Sequence, residues 1–471
     1  MTRRLGFRHA PRLLVLGTVL LAFACSKKTP PSSGPPAEPS ASASKPETRA
    51  SASASAAAGP SLCKVTQEKR WLRWANREAG LTFGTLPNGR LALGLADGER
   101  PRVLVFNRLG TGELIEPAMP SKSALSMPPS ASVGRRRVLR VTPALDASGA
   151  VTAYVDYRDE RSDGRRRVAC VPTATDQSRL VFDGEPLAKD GKPAGLAGEV
   201  AAAGTDKPEL VTEVRDCRTF VDPGGSRVWA AGGRLVMEKL PNRTLKWRWE
   251  WFVDPGDDRP YVVLHRVEFE GVPTELPEYE PLSAQRLEDG TYLLAARQLQ
   301  SGTQTLWLWG LGADRAKRTE PQSYPGPAVA DVLFAPDGTD LWLLVSRDST
   351  ESQALSAAKL PAAAPGLPTE LSPLSLRGAP GHVGSPGLVR AKDHRFLSYQ
   401  VGPPGKGQLM VALADEQLQP QQAAFLVSDP EETVYTSRLV ALDSGELLLV
   451  YIQNGAPGAD LISKRLTCWA R

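Results

Sequence analysis

The sequence predicts an all-β fold, a β-propeller built from small antiparallel sheets. Three observations favour it: a strand–turn–strand unit recurs along the chain, its turns carry Asn-Gly, Asp-Gly or similar residues, and helical periodicity is scarce. Asn-Gly and Asp-Gly supply the left-handed backbone that tight hairpins need. The 471 residues are 41% hydrophobic and 23% charged, which is typical of a globular chain rather than a disordered or fibrous one.

The spacing of the repeated unit indicates the architecture. Turn centres lie near residues 88, 147, 223, 289, 337, 393 and 444, and the last four are 48, 56 and 51 residues apart. A blade of four short strands needs about 40–50 residues, so modest insertions explain the longer intervals. Seven blades over residues 61–471 fit best, and six or eight also fit. The repeated units are Leu81–Gly94, Val141–Tyr154, Arg218–Ala230, Leu282–Ala295, Val329–Leu344, Leu388–Tyr399 and Leu439–Tyr451.

The first 24 residues predict export. They contain four arginines, no acidic residue and the apolar run Leu13–Ala24, which is too short to span a bilayer comfortably. These features are typical of a secretory signal peptide. The segment Leu21–Cys25 (LAFAC) resembles a bacterial lipobox, and the resemblance implies a diacylglyceryl group on Cys25. The Ser that follows Cys25 resembles the outer-membrane default of Gram-negative lipoproteins, so we expect a lipid-anchored protein of the cell envelope.

Residues 25–60 predict a disordered tether. After Cys25 they consist mainly of Ser, Ala and Pro, and they cannot bury enough apolar surface to offset the ordering of the backbone. Of the formal net charge of +5, residues 1–60 contribute +6 and residues 61–471 contribute −1. The basic pI therefore belongs to the export signal and tether, and it gives no reason to expect a nucleic-acid partner.

Two short segments carry a family resemblance. Phe334–Trp342 (FAPDGTDLW) resembles the core of the WD40-like (PD40) repeats in TolB-type periplasmic propellers. Leu287–Tyr292 (LEDGTY) is a weaker relative and is also similar to an Asp-box of sialidase-like propellers. The resemblance covers about ten residues of one unit, so it implies the fold and carries no activity.

The cysteines that follow Cys25 predict two disulfides. Four cysteines allow three connectivities. The first and last strands of a propeller meet in one blade, so a Cys63–Cys468 bond would lock the ring and leave Cys170 to pair with Cys217. We favour this pairing over the other two. A Cys-based metal site fails because no CxxC or Cys/His pair occurs.

Other candidate residues have plainer explanations. Asp254, Asp257 and Asp258 form a loop that could hold a ligand or a hard cation, but the Pro-Gly between them is ordinary turn chemistry and the spacing matches no EF-hand. The alternating Trp247, Trp249 and Trp251 share one face of a strand. We expect that face to be buried between blades, with stacking on sugar rings as the alternative.

No catalytic motif, resident metal site or cofactor motif is recognisable. The sequence therefore favours a monomeric, non-enzymatic binding or scaffold module for an envelope protein or polysaccharide. The alternative is a glycan-acting propeller hydrolase or lyase of sialidase-like architecture. That enzyme would need carboxylates, Tyr and Arg converging on the centre of the ring.

Overall fold

In the computed structural model, the residues that can be described lie within the unit Gly59–Arg471. Residues 61–469 are described except for 75–80, 87–89, 98–99, 117–132, 147, 162–165, 171–180, 183–184, 187–208, 223–227, 240–244, 256–260, 272, 274–275, 349–353, 362–365, 377–382, 403–406 and 455–457. The predicted signal peptide (1–24), Cys25 and the tether lie outside these residues. Nothing in the described part is a helix of the length and apolarity needed to cross a membrane.

The described residues are organised in strands. In chain order these are β1 Cys63–Trp74, β2 Leu81–Thr85, β3 Leu91–Asp97, β4 Arg100–Phe106, β5 Gly112–Ile115, β6 Val133–Leu145, β7 Val151–Arg161, β8 Arg166–Ala169, β9 Val181–Phe182, β10 Glu185–Pro186, β11 Glu209–Val221, β12 Val228–Lys239, β13 Leu245–Asp254, β14 Val262–Phe269, β15 Glu278–Arg286, β16 Tyr292–Gln300, β17 Thr303–Leu311, β18 Gln322–Gly326, β19 Val329–Asp337, β20 Asp340–Arg347, β21 Leu355–Pro361, β22 Ser372–Pro373, β23 Val383–Ala391, β24 His394–Val401, β25 Gln408–Ala414, β26 Phe425–Leu426, β27 Val434–Ala441, β28 Leu447–Asn454 and β29 Ala459–Cys468.

Antiparallel pairing groups these strands into sheets. Within the described ranges there are seven sheets of three or four strands, together with the two-stranded β9–β10 ribbon. Six of the seven follow chain order: β2–β5, β6–β8, β11–β14, β15–β18, β19–β22 and β23–β26. The seventh joins the two ends of the domain, in the order β1-β29-β28-β27.

The sheets follow one another around a ring. The first strand of each sheet contacts the first strand of the next, through β2, β6, β11, β15, β19, β23 and β27, and β27 contacts β2 again. The predicted all-β propeller is therefore confirmed, and the repeated units of the sequence are the hairpins between first and second strands. The number of blades in the whole chain stays a prediction.

Ring closure depends on β1. Residues Thr66–Gly80 fitted either a helix or an outer strand, and the structure shows the outer strand, which ends at Trp74. β1 pairs with β29 from Cys63↔Cys468 onward. Disulfides join Cys63 to Cys468 and Cys170 to Cys217. The first bond ties the two ends of the ring together, and the second connects β11 to the residue that follows β8.

The turns between first and second strands form as the Asx-Gly pattern predicts. At the β6–β7 turn, the Asp146 carboxylate accepts hydrogen bonds from the backbone N–H groups of Ser148 and Ala150, both at 2.9 Å. Gly149 follows with a φ of 81°, a left-handed conformation that glycine adopts without steric cost. Gly290, Gly338 and Gly445 have positive φ values at the corresponding turns of three other described hairpins.

The core lies between consecutive sheets. Trp251 of β13 stacks on Tyr279 of the next sheet, with ring centroids 4.8 Å apart, and meets Trp309 edge-on at 5.3 Å. Trp249 and Trp251 are 1% and 0% exposed. The tryptophans therefore fill the space between two sheets, as predicted from their alternation, because large rings occupy the wedge that radial sheets leave.

Candidate functional site

Irregularities in the first strands shape the centre of the ring. The pairing register shifts at Leu139 of β6, Arg215 of β11 and Ala330 of β19, each of which is left out of the ladder. Such β-bulges bend a strand and re-aim the side chains beside them. The residues that resume the ladder are Arg140, Asp216 and Asp331. The bulges thus place charged side chains on strands that line the ring's axis.

The first part of the site is a carboxylate held between two arginines. Arg140 Nη2 of β6 lies 2.6 Å from Glu280 Oε1 of β15. Arg297 of β16 donates through Nε to Glu280 Oε2 at 2.9 Å, and through Nη1 to the Val329 carbonyl oxygen at 2.7 Å. The Arg140 and Glu280 side chains are 17% and 26% exposed. The two side chains are mostly buried and keep part of their surface exposed.

The second part lies on β11. Arg218 donates through Nη1 to the carbonyl oxygen of Leu282 on β15. The next residue, Thr219, donates through its hydroxyl to Asp156 Oδ1 at 2.6 Å and through its backbone N–H to Oδ2 at 3.0 Å. Asp156 of β7 is 1% exposed. Asp156 therefore does not reach the surface; it holds β11 against the preceding sheet.

The third part connects non-consecutive sheets. Arg438 Nη1 of β27 lies 3.4 Å from Asp331 Oδ2 of β19, although the sheet of β23 comes between them in the ring. Arg438 Nη2 also donates to the Leu81 carbonyl oxygen of β2 at 3.4 Å. A side chain that reaches two separate first strands lies at the centre of the ring. We call Arg140, Arg218, Glu280, Arg297, Asp331 and Arg438 the central cluster.

The charges of the central cluster shift one another's pKa values. Burial disfavours charge on Glu280, but Arg140 and Arg297 outweigh it and lower the pKa of this carboxyl. Burial likewise opposes the charge on Arg140, but Glu280, Asp216 and Asp156 raise its pKa above the usual value. Burial and the charge of Arg140 lower the pKa of Arg218 to about 10. At neutral pH these three residues are all ionised.

The pKa of Asp156 shifts in the opposite direction to that of Glu280. Burial raises its pKa, and the opposing effects of Arg140 and of the hydrogen bonds from Thr219 do not cancel the rise. Because the residue is buried behind the central cluster, we regard it as a positioning residue for Thr219 and the arginines rather than as a group that meets a ligand.

The residues proposed from sequence lie elsewhere. Asp254 ends β13 and is fully buried, while Asp257 and Asp258 are outside the described residues. Within the described ranges, no group of three or more His, Cys, Asp or Glu is arranged to hold a metal ion. His265 packs against Trp251 and Trp307, where burial and Lys317 lower its pKa. None of these residues belongs to the central cluster.

Comparison with known proteins gives the fold. No family model and no curated protein sequence matches the chain. Among solved structures, the chain is similar to the Trypanosoma rangeli sialidase, with a TM-score of 0.39 and 10% identity over 84% of this chain and 55% of the sialidase. It is similar to the NanB sialidase from Streptococcus pneumoniae (TM-score 0.40, 12% identity, 86% of this chain and 70% of that one). It is also similar to the phage phi92 endosialidase (TM-score 0.43, 11% identity, 87% and 70%).

The solved structures named above correspond to one of the two functional hypotheses drawn from the sequence. The prediction of a non-enzymatic binding or scaffold module is wrong, because these solved structures are sialidases and an endosialidase, which correspond to the alternative. The chain spans about half the length of the Trypanosoma rangeli sialidase, and identities of 10–12% establish the fold alone. The activity must therefore be argued from the residues of this chain.

Sequence reasoning missed the central cluster, although a signal was present. Arg140, Asp216 and Asp331 each stand six residues before the Asp of the following turn, at Asp146, Asp222 and Asp337. A charged residue inside an apolar strand, at a constant distance from a recurring turn, would have marked the centre of the ring. The physical reason is that equal strand lengths bring equivalent positions to the same height along the axis.

Proposed function

We propose that this protein is a glycan-acting enzyme, a hydrolase or lyase, whose substrate presents an acidic sugar to the central cluster. One observation supports this above all. Five first strands (β6, β11, β15, β19 and β27) each contribute one charged side chain to the centre: Arg140, Arg218, Glu280, Asp331 and Arg438. A scaffold surface has no need to gather both signs of charge in a partly exposed centre.

The arginines suit the binding of a carboxylate. A guanidinium group is planar, stays charged at neutral pH and pairs with a carboxylate through two parallel hydrogen bonds. Arg140, Arg218 and Arg438 come from three separate strands, so an anionic sugar between them would be held from several directions. In the free protein the carboxylates of Glu280 and Asp331 partner Arg140 and Arg438.

The two partly exposed carboxylates suit the chemistry. Most glycoside hydrolases place a pair of Asp or Glu residues on either side of the bond that breaks. Hydrolysis adds water across that bond: one carboxyl protonates the leaving oxygen, and the other accepts a proton from water or attacks the sugar directly. Glu280 is the carboxylate that accepts a proton from water or attacks the sugar, since its lowered pKa keeps it ionised. Asp331 is the other carboxylate of the centre, and to act as the acid it must first separate from Arg438 and take up a proton.

We also propose that the enzyme acts in the cell envelope. The support comes from the sequence: an apolar signal over residues 1–24, the lipobox-like Cys25 and a tether to residue 60. We infer a monomer anchored through lipid on Cys25, in the outer membrane of a Gram-negative bacterium. The partner of such a protein is then an acidic polysaccharide or glycoconjugate of that compartment.

The test is a release assay with the purified full-length protein. Fluorogenic glycosides of N-acetylneuraminic acid, glucuronic acid and glucose are compared, and the appearance of an unsaturated sugar distinguishes a lyase from a hydrolase. We expect turnover of an acidic glycoside and a loss of at least about 100-fold in Glu280→Gln. Glu320→Gln, on a turn where its side chain is 85% exposed, is the matched control and should retain full activity. Equal rates in the two variants, or equal turnover of acidic and neutral glycosides, would reject the proposal.

A further inference from the structure

A polar groove lies where the ring closes. It runs between β1 and β29 of the last sheet and the turn that joins β4 to β5 of the first sheet. Its volume is about 130 Å³. A cavity of roughly 150 Å³ holds one benzene ring, so a larger sugar ring would enter this open groove only in part and leave its other side in solvent. None of the residues of the central cluster lines it.

The lining of the groove is rich in hydrogen-bond donors. Lys69 and Arg465 supply positive charge, while Gln67, Thr111 and Ser463 supply an amide and two hydroxyl groups. Among the described residues that line the groove there is no Asp or Glu. A site built from cations and hydroxyls without a carboxylate favours a ligand that carries negative charge and several oxygen acceptors.

The cationic side chains are held in place by their neighbours. Lys69 Nζ lies 3.5 Å from the centroid of the Trp71 ring, a cation–π contact. Trp71 Nε1 in turn donates to Ser463 Oγ at 2.8 Å, which leaves the Ser463 hydroxyl proton for another acceptor. Trp71 therefore orients one cation and one hydroxyl toward the same space.

Only some of the hydrogen-bond donors of Arg465 have an acceptor. Its Nη2 donates to the carbonyl oxygen of Leu109, and its Nη1 lies 3.9 Å from Glu446 Oε2. Its Nε is buried and finds no hydrogen-bond partner in the part of the chain that the structure describes.

Two glycines let the turn pack closely against the groove. A Cβ atom at Gly112 would come within 2.5 Å of the Phe106 ring and 2.8 Å of the Trp71 ring, and one at Gly110 would come within 2.5 Å of Arg465 Nη2. Gly110 also has a φ of 79°, which a residue with a side chain rarely adopts. The turn thus brings backbone against the two residues that orient the site, without a side chain to fill it.

We infer that this closure groove binds one anionic sugar unit, a pyranose that carries a carboxylate or sulfate, at a site separate from the central cluster. The cations Lys69 and Arg465 pair with the anionic group, and Gln67, Thr111 and Ser463 bond the ring hydroxyls. The inference does not rest on the proposed function, since the groove shares no residue with the central cluster.

The test is calorimetric titration of the full-length protein with glucuronate, glucose and inorganic sulfate as separate probes. We expect glucuronate to bind at least about tenfold more tightly than either of the others, because the site offers both charge pairing and hydroxyl contacts. Sulfate binding as tight as glucuronate would overturn the sugar assignment. Glucose binding as tight as glucuronate binding would overturn the assignment of an anionic ligand.

Variants locate the binding. Lys69→Met should weaken glucuronate at least about tenfold, and Thr111→Val, which keeps the side-chain shape, should weaken it to a smaller extent. Lys64→Met is the matched control, because Lys64 is an exposed lysine of the same strand outside the groove, and it should bind as the parent does. Equal affinities for Lys69→Met and Lys64→Met would reject the site. Binding that is lost in Lys69→Met and kept in Glu280→Gln reports the groove rather than the central cluster, so failure here and failure of the proposed function are distinguishable.

Discussion

Arg438 of β27 pairs with Asp331 of β19 at 3.4 Å, across a sheet that separates theirs in the ring. Most ion pairs of a propeller join neighbouring strands, whereas this pair joins first strands that share no ladder. The Arg438 side chain also reaches Leu81 of β2, the first strand on its other side. One guanidinium therefore contacts two other first strands, one on each side of its own.

The Asp331–Arg438 pair should be more strongly coupled than a surface pair of equal length. Its side chains are 26% and 19% exposed, whereas Arg318–Asp289, at 3.3 Å, is 50% and 28% exposed. In double-mutant cycles with Asp→Asn and Arg→Met, we expect about 1–3 kcal/mol for the central pair and a smaller coupling for the surface pair. Denaturant unfolding measures both, and equal couplings would contradict a shielded centre.

Glu250 should make stability depend on pH in the acid range. It is 1% exposed and lies within 2.8 Å of Arg234, 2.7 Å of Arg248 and 3.0 Å of Arg266. Burial disfavours its charge, but Arg234 and Arg248 outweigh burial and lower its pKa. A carboxyl whose pKa is lower in the folded state stabilises above its unfolded pKa, near 4.3, and loses that contribution as the pH falls through the folded pKa.

We therefore expect Glu250→Gln to lower the free energy of unfolding by about 3 kcal/mol at pH 7. The difference from the parent should shrink below about pH 4. Urea unfolding at several pH values measures it. Glu320→Gln should show no such trend, since that side chain is 85% exposed. A difference that stays constant down to pH 3 would show that the buried charge is not the cause.

Loss of the hydroxyl should change the free energy of unfolding differently at two tyrosines of neighbouring strands, Tyr292 and Tyr279. Tyr292 Oη donates to Asp222 Oδ2 at 2.6 Å and accepts from Arg315. Tyr279 Oη is buried without a hydrogen-bond partner among the described residues. Removing a bonded hydroxyl leaves its partners unsatisfied, whereas removing an unbonded one ends a desolvation cost.

We expect Tyr292→Phe to lower the free energy of unfolding by about 1–3 kcal/mol, and Tyr279→Phe to be neutral or stabilising. Thermal and denaturant unfolding of both variants measure the difference. Each tyrosine serves as the other's control, because the chemical change is the same. Substantial destabilisation by Tyr279→Phe would mean that its hydroxyl has an acceptor.

The two disulfides should contribute unequally. Their sequence separations are 405 and 47 residues. The chain-entropy treatment gives upper figures of about 6 and about 4 kcal/mol for loops of these lengths. We expect the double variant Cys63→Ser, Cys468→Ser to be less stable than Cys170→Ser, Cys217→Ser. Unfolding in denaturant compares the two, and the reverse order would show that strain or residual structure outweighs loop length.

Much of the fold was predictable because local chemistry dictates it. The Asx-Gly turns fix hairpins, and hairpins that recur at a period near 50 residues favour a ring of small sheets. The alternation of Trp247, Trp249 and Trp251 indicated their burial between sheets for the same reason. The closing pair Cys63–Cys468 followed from ring topology.

The site was not predictable in the same way. Asp331 and Arg438 are 107 residues apart, and only ring geometry brings them together. The bulge that precedes Asp331 has no strong local signature, because Ala330 is an ordinary strand residue. The loop at Asp254 was a candidate site only because its sequence is rich in Asp. The central cluster takes single charges from many strands, so no local window contains it.

The closure of the last sheet has a consequence for biosynthesis. The cysteines emerge from the ribosome in the order Cys63, Cys170, Cys217 and Cys468, and oxidation in order of appearance would join Cys63 to Cys170. The native bonds are nested instead, Cys170–Cys217 within Cys63–Cys468. Maturation therefore requires either that Cys63 remain a thiol until β29 has arrived, or that a thiol–disulfide exchange step correct the early bond. A chain that stops before β29 has an unpaired β1, and the enzyme that supplies or reshuffles its disulfides becomes part of its folding pathway.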